Sequence, residues 1–542
     1  MSATATEGVA RSSIVMGLGS LVSRITGFAR TVVLSGALGA TLLGNAYTTA
    51  QFFPQMIFEL VMGGIFTGII LPLFVKARKN DLDGGDAFTQ RMLTLAFVLL
   101  GLATVVATLA SPVVALTADP GDPREIVTSL SYWMMPALFF YGMAAILGGV
   151  LNSRDHFAAP MWVPIINNLV VIAVGVAFWA VFTGAVPFNT ADQITPGMIM
   201  LLGGGTLAGI VIQVLALLPA LKKVHFRWKW RFDFRELPLR KIARMASWTI
   251  LFVVANQLSV LLVIKLANMA YGSAKDEGFW VPGPIVYNNA YLIMMMVYGI
   301  IGVSIVTALM PRMTRAADDR NWGELKEQLA GGTRMMSFLV IPLAVILVAL
   351  NQPAAYAVFN WGVYLDDQAT ATGYVLAVAG MALLPFAMSQ IQYYAFFAQT
   401  DTRMVALINL PVIIFRVAFY LFAFALLPME WVVVGLFAAN GISYVVSVFL
   451  TTAILRKRLG LLGMGNILKG QLAMLVAALC GGAVAWLGYT VWPDPLGDKF
   501  QQILSSAVLG GAALLVYVVV CMVLRVHEVR DLRSLVRSKL GR

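Results

Sequence analysis

The chain has 542 residues, of which 60% are hydrophobic and only 12% are charged. A soluble protein of this length cannot hide so much apolar surface, so the composition excludes a soluble enzyme and indicates a polytopic membrane protein. The formal net charge of +12 favours a nucleic-acid partner only if the basic residues form one continuous surface.

Apolar runs of about 20 residues or more, separated by polar breaks, predict about fourteen membrane-spanning helices and an all-α fold. The first run is too long for the apolar region of a cleavable signal peptide, so we expect it to be retained as a span. The predicted spans are 12–40, 44–75, 92–117, 126–151, 160–184, 198–221, 242–270, 284–311, 333–350, 370–398, 403–427, 431–455, 468–491 and 502–524.

The lysine and arginine residues lie mostly in alternate loops. If the N-terminus is cytoplasmic, the outer loops hold only Arg124, Lys275 and Lys499 of the 38 basic residues. This asymmetry is typical of the positive-inside rule. It predicts a multi-pass protein with both termini in the cytoplasm, and it spreads the positive charge over many loops rather than one nucleic-acid surface.

The chain also contains an internal repeat. The segment GNAYTTAQ in the second span is similar to NNAYLIMM in the eighth, and Pro136 precedes Arg154 by the same eighteen residues as Pro385 precedes Arg403. Spans six apart insert in the same direction, so we expect two pseudo-symmetric six-helix lobes plus two C-terminal helices. Chance similarity between apolar segments is the alternative. The predicted parts are an N-lobe (1–224), a cytoplasmic interfacial linker (225–241), a C-lobe (242–458), spans thirteen and fourteen (459–524) and a basic tail (525–542).

The linker sequence HFRWKWRFDFRE (225–236) alternates aromatic and basic residues. Stacking of nucleic-acid bases on such a surface is conceivable, but its place between two spans favours anchoring at the lipid interface. We likewise expect the basic tail to contact anionic membrane lipids, and we expect no nucleic-acid partner.

The sequence contains no pattern typical of an enzyme site. It has no glycine-rich GxxxxGK[ST] phosphate loop, no paired acidic residues at a membrane face and no cluster of metal-ligand type. Cys480 and Cys521 both lie inside apolar runs, which argues against a disulfide framework. We therefore expect a membrane transporter that uses no cofactor, with any coupling ion left open.

Five charged residues lie more than three residues inside the predicted spans and are the candidate site: Arg24, Arg30, Glu59, Lys265 and Arg416. At about 1.5 Å per residue, Arg30 and Glu59 reach similar depths, so a structural ion pair and a ligand-binding role both stay open. Lys265 lies near the outer end of the seventh span, where extension to the interface is the simpler interpretation.

Arginines carried into the membrane tend to face a water-filled cavity and to meet an anion. Arg24 and Arg30 are six residues apart, which places them about 120° apart on an ideal helix, unless the helix bends at Gly27. Three arginines and one acid leave a positive interior, which suits an anionic cargo. A pyrophosphate is a good match because guanidinium groups bind its oxygens in pairs.

The first-span segment Ser23-Arg24-Ile25-Thr26-Gly27-Phe28-Ala29-Arg30 resembles the signature of the MurJ/MviN family, the lipid II flippases of bacterial peptidoglycan synthesis, within a wider superfamily of multidrug, oligosaccharidyl-lipid and polysaccharide exporters. The similarity covers nearly the whole chain. Supporting matches are Leu151-Asn152-Ser153-Arg154, Phe157-Ala158-Ala159-Pro160, Pro164 with Asn167-Asn168, and Gly302 with Met310-Pro311-Arg312.

The resemblance implies a flippase of the bacterial plasma (inner) membrane that moves undecaprenyl-pyrophosphate-linked lipid II outward by alternating access. The headgroup would lie in a central cavity with Arg24 and Arg30, and the tail in a groove beside the last two spans. Proteins of cell-wall synthesis or division are possible partners. The chain departs from the family at Thr31, at Asn45, around Phe58–Glu59, at Gly63 and at Leu292. Lys265 and Arg416 are candidates to compensate, and Asn45 is a further candidate for substrate binding.

Two other classes of function stay open. One is another polysaccharide-lipid or drug exporter of the same superfamily, although exporters of cationic drugs usually need carboxylates in the cavity. The other is a scaffold for cell-wall enzymes that transports nothing, which leaves the charges inside the spans unexplained. Without an ATP site, transport must draw on the membrane potential or an ion gradient.

Overall fold

The computed structural model describes residues 3–60, 74, 77–78, 81–118, 122–154, 156, 158–182, 188, 190–237, 239–276, 282–460, 463–494 and 496–529. Within these ranges the long regular elements are all helices, and thirteen helical stretches are long and apolar enough to cross a membrane, one of which (Pro123–Ser153) consists of two successive helices. The prediction of an all-α polytopic membrane protein is confirmed. The second predicted span begins as helix Leu42–Leu60, and most of its remaining residues lie outside the described ranges.

The chain divides into two compact units. Unit 1 comprises Met1–Met269 with Gly362–Tyr364, and unit 2 comprises Ala270–Trp361 with Leu365–Arg542. This division falls inside a helix rather than in the linker 225–241, and the predicted lobe boundaries stay a prediction. The long helices of unit 1 are α1 (Ala3–Leu38), α2 (Leu42–Leu60), α3 (Asp86–Leu109), α4 (Asp122–Met134), α5 (Ala137–Ser153), α6 (Ala158–Phe182), α7 (Pro196–Lys223) and most of α8 (Leu239–Asp276).

The described part of unit 2 contains eight further helices. One of them, α11, occupies a segment that the sequence analysis left as an outer loop. The helices are α9 (Pro284–Asp318), α10 (Trp322–Ala349), α11 (Asn351–Phe359), α12 (Asp366–Ala398), α13 (Thr402–Leu426), α14 (Met429–Leu459), α15 (Met464–Val491) and α16 (Lys499–Val523).

The fourth predicted span is interrupted. Two turn residues, Met135 and Pro136, separate α4 from α5. Proline has no backbone N–H and its ring crowds the preceding turn, which explains the interruption. Its counterpart in the repeat, Pro385, lies inside the continuous helix α12, so the two halves differ in backbone at this position.

Polar residues at the breaks begin several helices. The Asp401 carboxylate accepts a hydrogen bond from the backbone N–H of Met404 at 2.9 Å and caps α13. Asp498 caps α16 in the same way through the N–H of Gln501 at 2.8 Å. A cap satisfies an N–H group that has no partner within the helix, which fixes where each span starts.

Each unit has its own apolar core. In unit 1, one cluster packs Leu34 and Leu38 of α1 against α2, α4 and α7, and a second joins α3 and α5 to α7. In unit 2, α10, α15 and α16 share a cluster around Phe338 and Tyr517. That cluster also buries Val526 and Val529 at the start of the basic tail, while residues 530–542 lie outside the described ranges.

One close helix contact in unit 2 provides a test of this packing. A Cβ atom added at Gly380 of α12 would lie 2.7 Å from the backbone oxygen of Ala344 in α10, whereas a Cβ at Gly101 of α3 meets nothing within 4 Å. Gly380→Ala should therefore destabilise the protein by about 1–3 kcal/mol, because a backbone atom cannot move aside cheaply. Gly101→Ala should be neutral or stabilising by up to about 1 kcal/mol.

Thermal unfolding of the detergent-solubilised chain measures both effects. We expect a lower midpoint for Gly380→Ala and an unchanged or higher midpoint for the matched Gly101→Ala. Equal midpoints for the two variants would show that α10 and α12 are not packed as described.

Candidate substrate-binding site

The two arginines of the first span have different surroundings. Helix α1 is continuous from Ala3 to Leu38, so Arg24 and Arg30 lie about 120° apart around its axis. Arg24 is exposed, and Arg30 is partly buried. The structure therefore places the two charges on different faces of one helix.

Helix α1 is held against α6 by one asparagine. The Asn168 side-chain amide donates hydrogen bonds to the backbone oxygen of Ser23 at 3.1 Å and to the hydroxyl of Thr26 at 3.0 Å. Gly27 leaves room for this contact, since a Cβ there would lie 3.5 Å from the same amide nitrogen. The polar residues of the first-span segment thus fix the rotation of α1, and with it the direction of both arginines.

Arg30 lies in a polar part of unit 1. Its Nε atom is buried and has no hydrogen-bond partner among the described residues. The hydroxyl groups of Tyr47 and Tyr141 are close enough to interact with its charge. A buried donor without a partner costs free energy, which an anionic acceptor entering the site would recover.

Both tyrosines are themselves held in place. The Tyr47 hydroxyl is hydrogen bonded to the Thr206 hydroxyl at 2.8 Å, and Tyr141 is hydrogen bonded to Asn167. Tyr47 of α2 and Tyr141 of α5 therefore present oriented, neutral hydroxyl groups near Arg30, and residues of α6 and α7 hold those hydroxyl groups in place. Such surroundings stabilise the guanidinium charge without neutralising it.

The other predicted residues of unit 1 lie in three different environments. Asn45 of α2 is only 2% exposed, so a ligand has no access to it in this conformation. Lys265 is exposed on α8, as expected for a side chain that extends to an interface. Glu59 lies on α2, but its side chain is outside the described residues, and so is its predicted pairing with Arg30.

Arg416 forms a second cationic centre inside unit 2. Its side chain is only 7% exposed, its Nε donates to the Ser443 hydroxyl at 2.9 Å, and its guanidinium lies 5.5 Å from the ring centre of Tyr444. Tyr420 donates to Asn440 at 2.8 Å, and Asn440 donates in turn to Tyr287. Arg416 is therefore buried among hydroxyl groups and aromatic rings.

Sequence reasoning missed the tyrosines, although the repeat carried a signal for one of them. The segments GNAYTTAQ and NNAYLIMM align Asn45 with Asn289 and Tyr47 with Tyr291. Both asparagines are buried in the structure, at 2% and 0% exposure. A polar Asn-Ala-Tyr triplet inside two apolar spans therefore marks interior positions in both halves.

Unit 2 also has an open groove along α9, with a volume of about 690 Å³. The groove is apolar at one end of its path along α9 and charged at the other. Val303, Val306 and Met310 line an apolar part, and Arg315 and Asp318 line a charged part, with Tyr394 of α12 on the wall. A groove that is apolar at one end and charged at the other matches the shape of an amphiphile.

Many apolar spanning helices with guanidinium groups placed inside them define the class of multi-pass membrane transporters. The chain resembles a solved structure described as "Lipid II flippase MurJ, inward closed conformation", with a TM-score of 0.74 at 17% identity over 96% of this chain and 99% of that one. A structure described as an inward-facing multidrug resistance MATE family transporter gives a TM-score of 0.63 at 16% identity, over 84% and 99%. These two structural similarities support the assignment of the fold.

The family model described as "Lipid II flippase MurJ" matches residues 34–504, and the chain belongs to that family. It is accordingly a transporter rather than an enzyme. A "Probable lipid II flippase MurJ" of Rhizobium tropici is 24% identical over 97% of this chain and 96% of its own length. The "Lipid II flippase MurJ" of Burkholderia cenocepacia is 26% identical over 73% and 74%.

Proposed function

We propose that this protein moves lipid II, the undecaprenyl-pyrophosphate-linked precursor of peptidoglycan, from the cytoplasmic to the outer leaflet by alternating access. The family supports the substrate class. The observation that carries the proposal is the buried Nε donor of Arg30, which lies in polar surroundings inside the spanning part of unit 1. A pyrophosphate supplies the acceptor oxygens that this donor lacks.

Arg30 is the proposed anchor for the pyrophosphate, since guanidinium groups bind phosphate oxygens bidentately. Arg24, exposed about 9 Å earlier along α1, meets the headgroup where it enters from solvent. Arg416 supplies positive potential in unit 2, and Asn45, Glu59 and Lys265 stay candidates for secondary contacts. A cationic drug would be repelled by these charges, which favours a lipid phosphate over the drug-exporter alternative.

The lipid tail needs an apolar path. Helix α15 exposes Leu472, Val476 and Leu479, which supports a tail position beside α15 and α16. The groove along α9 offers apolar and charged walls in sequence and is a second place where an amphiphile fits. The apolar face of α15 suits a lipid tail, whereas Asp318 and Asp319 beside Arg315 disfavour the charged end of the groove as the place of the pyrophosphate.

The orientation follows from the placement of basic loops. We place both termini in the cytoplasm and the protein in the bacterial plasma membrane. Anionic membrane lipids and proteins of cell-wall synthesis or division are the proposed partners. Transport draws on the membrane potential or an ion gradient, because the sequence offers no phosphate loop for ATP.

Substitution of the α1 arginines tests the binding role. Arg30→Ala and Arg24→Ala should each lower lipid II flipping at least tenfold, because a charged hydrogen bond to the pyrophosphate contributes about 1.5–3 kcal/mol. Arg30→Lys should be intermediate, since it keeps the charge but loses the bidentate geometry. A labelled-lipid assay in proteoliposomes measures the rate.

The matched control is Arg456→Ala, an exposed arginine at the end of α14. It should flip lipid II at the parental rate, and all four variants should reach the membrane in equal amount. Normal flipping by both alanine variants of α1 would contradict the proposed role.

Energy coupling gives an independent prediction. A cytoplasm-negative potential assists the inward return of an empty, positively charged site by about 2.3 kcal/mol per charge per 100 mV. Collapsing a potassium diffusion potential with an ionophore should therefore slow multiple-turnover flipping several-fold. An unchanged rate would exclude the potential as the driving force and would leave the ion gradient.

A further inference from the structure

The segment that follows α7, residues 224–237, is the strap. It crosses the ends of membrane-spanning helices in unit 1 and contains one short helical turn, Phe234–Glu236. Apart from Val224, it belongs to the linker 225–241, whose sequence predicts a position at the membrane interface. Its surface has no role in the transport mechanism proposed above.

The strap is fastened to the first turns of α3 by hydrogen bonds. The Gln90 amide donates to the backbone oxygen of Arg227 at 2.8 Å, and the Arg231 backbone N–H donates to the Thr94 hydroxyl at 3.2 Å. Arg231 Nε also donates to Gln90 Oε1 at 3.0 Å. Gln90 and Thr94 are buried, so this irregular segment has a fixed path over α3.

Ion pairs with α3 form a second attachment and balance the two acidic charges of the strap, whose side chains stay exposed. Arg91 of α3 forms ion pairs with both acidic residues of the strap, Asp233 at 2.6 Å and Glu236. The hydrogen bond from Arg91 lowers the pKa of Asp233, so the pair is intact at neutral pH and is lost only on acidification. The cations that stay outward are Arg227, Lys229 and Arg235, all exposed.

The aromatic residues of the strap form a ladder. Trp228 and Trp230 have ring centres 4.7 Å apart, and Trp230 and Phe232 are stacked at 6.4 Å with planes 7° apart. Trp230 is 55% exposed and Phe232 is 66% exposed. Two large stacked rings left open beside three cations are typical of a segment that enters the headgroup region of a bilayer.

The aromatic rings of the strap lie next to the lipid-facing side of α3. The Phe97 ring lies 5.0 Å from the Trp230 ring, and the residues that follow it, Val98, Leu99 and Leu102, are 43%, 55% and 62% exposed. An apolar stripe on a spanning helix faces hydrocarbon. The exposed rings therefore lie where that hydrocarbon meets the headgroups.

We propose that the strap is a binding site for anionic phospholipid in the leaflet that it faces. Trp230 and Phe232 lie among the glycerol backbones and upper acyl chains, and Arg227, Lys229 and Arg235 contact the phosphates. A nucleic acid is disfavoured as the occupant, because the rings that would stack its bases adjoin the hydrocarbon-facing stripe of α3.

Native mass spectrometry of the detergent-solubilised full chain tests the site, with dioleoylphosphatidylglycerol and dioleoylphosphatidylcholine as probes. The triple variant Arg227→Gln, Lys229→Gln, Arg235→Gln should bind the glycerol lipid at least tenfold more weakly and the choline lipid unchanged. The double variant Trp230→Ala, Phe232→Ala should weaken binding of both lipids.

The control variant removes the same charge elsewhere, as Arg456→Gln, Lys457→Gln, Lys469→Gln, three exposed cations on α14 and α15. It should bind the glycerol lipid like the parent. An equal loss in the control, no loss in the strap variant, or displacement of the glycerol lipid by a thymidine 20-mer would each overturn the proposal. Lipid II flipping in choline-lipid vesicles should be unchanged in the strap variant, which separates this site from the transport site.

Discussion

A guanidinium charge carried into the membrane-spanning part of α1 is the constraint on which the proposed mechanism depends. Hydrocarbon does not tolerate such a charge without water, a counter-ion or a polar surrounding. The structure supplies the polar surrounding, since Arg30 lies near the hydroxyls of Tyr47 and Tyr141. Because these two partners are neutral dipoles, they leave the charge available, in the proposed mechanism, to an anion that enters from solvent. The side chain of Glu59, the predicted acidic partner of Arg30, lies outside the described residues, so the binding role stays a proposal.

The fold keeps that charge in a fixed direction through contacts that are individually modest. Asn168 of α6 holds α1 at Ser23 and Thr26, and Thr206 and Asn167 orient the two tyrosines. Each hydrogen bond contributes about 1 kcal/mol on its own. Together these hydrogen bonds fix the rotation of α1 about its axis. A small rotation would move Arg30 out of its polar surroundings and move Arg24 away from solvent.

Much of the fold could be predicted from the sequence, because spanning helices must be long and apolar and their ends must be polar. The six-residue spacing of Arg24 and Arg30 also predicted that one helix could not direct both to one side, and their different exposure agrees with that. The surroundings of Arg30 could not be predicted, since Tyr47, Tyr141, Asn167 and Thr206 come from four helices and no period in the chain relates them. The interruption at Pro136 was not predicted because identical proline spacing gives a break in one half and a continuous helix in the other. The helix α11 was not predicted because its nine residues are too few for a membrane span.

The most direct test of the central claim is equilibrium binding of lipid II to the purified protein, compared with an analogue that carries a single phosphate between the same headgroup and tail. If guanidinium groups hold the pyrophosphate, the parent protein should prefer lipid II by at least tenfold, and Arg30→Ala should remove that preference while leaving the weak binding of the analogue. Equal affinity of the parent for the two lipids would contradict the account, because recognition would then lie in the sugar, the peptide or the tail.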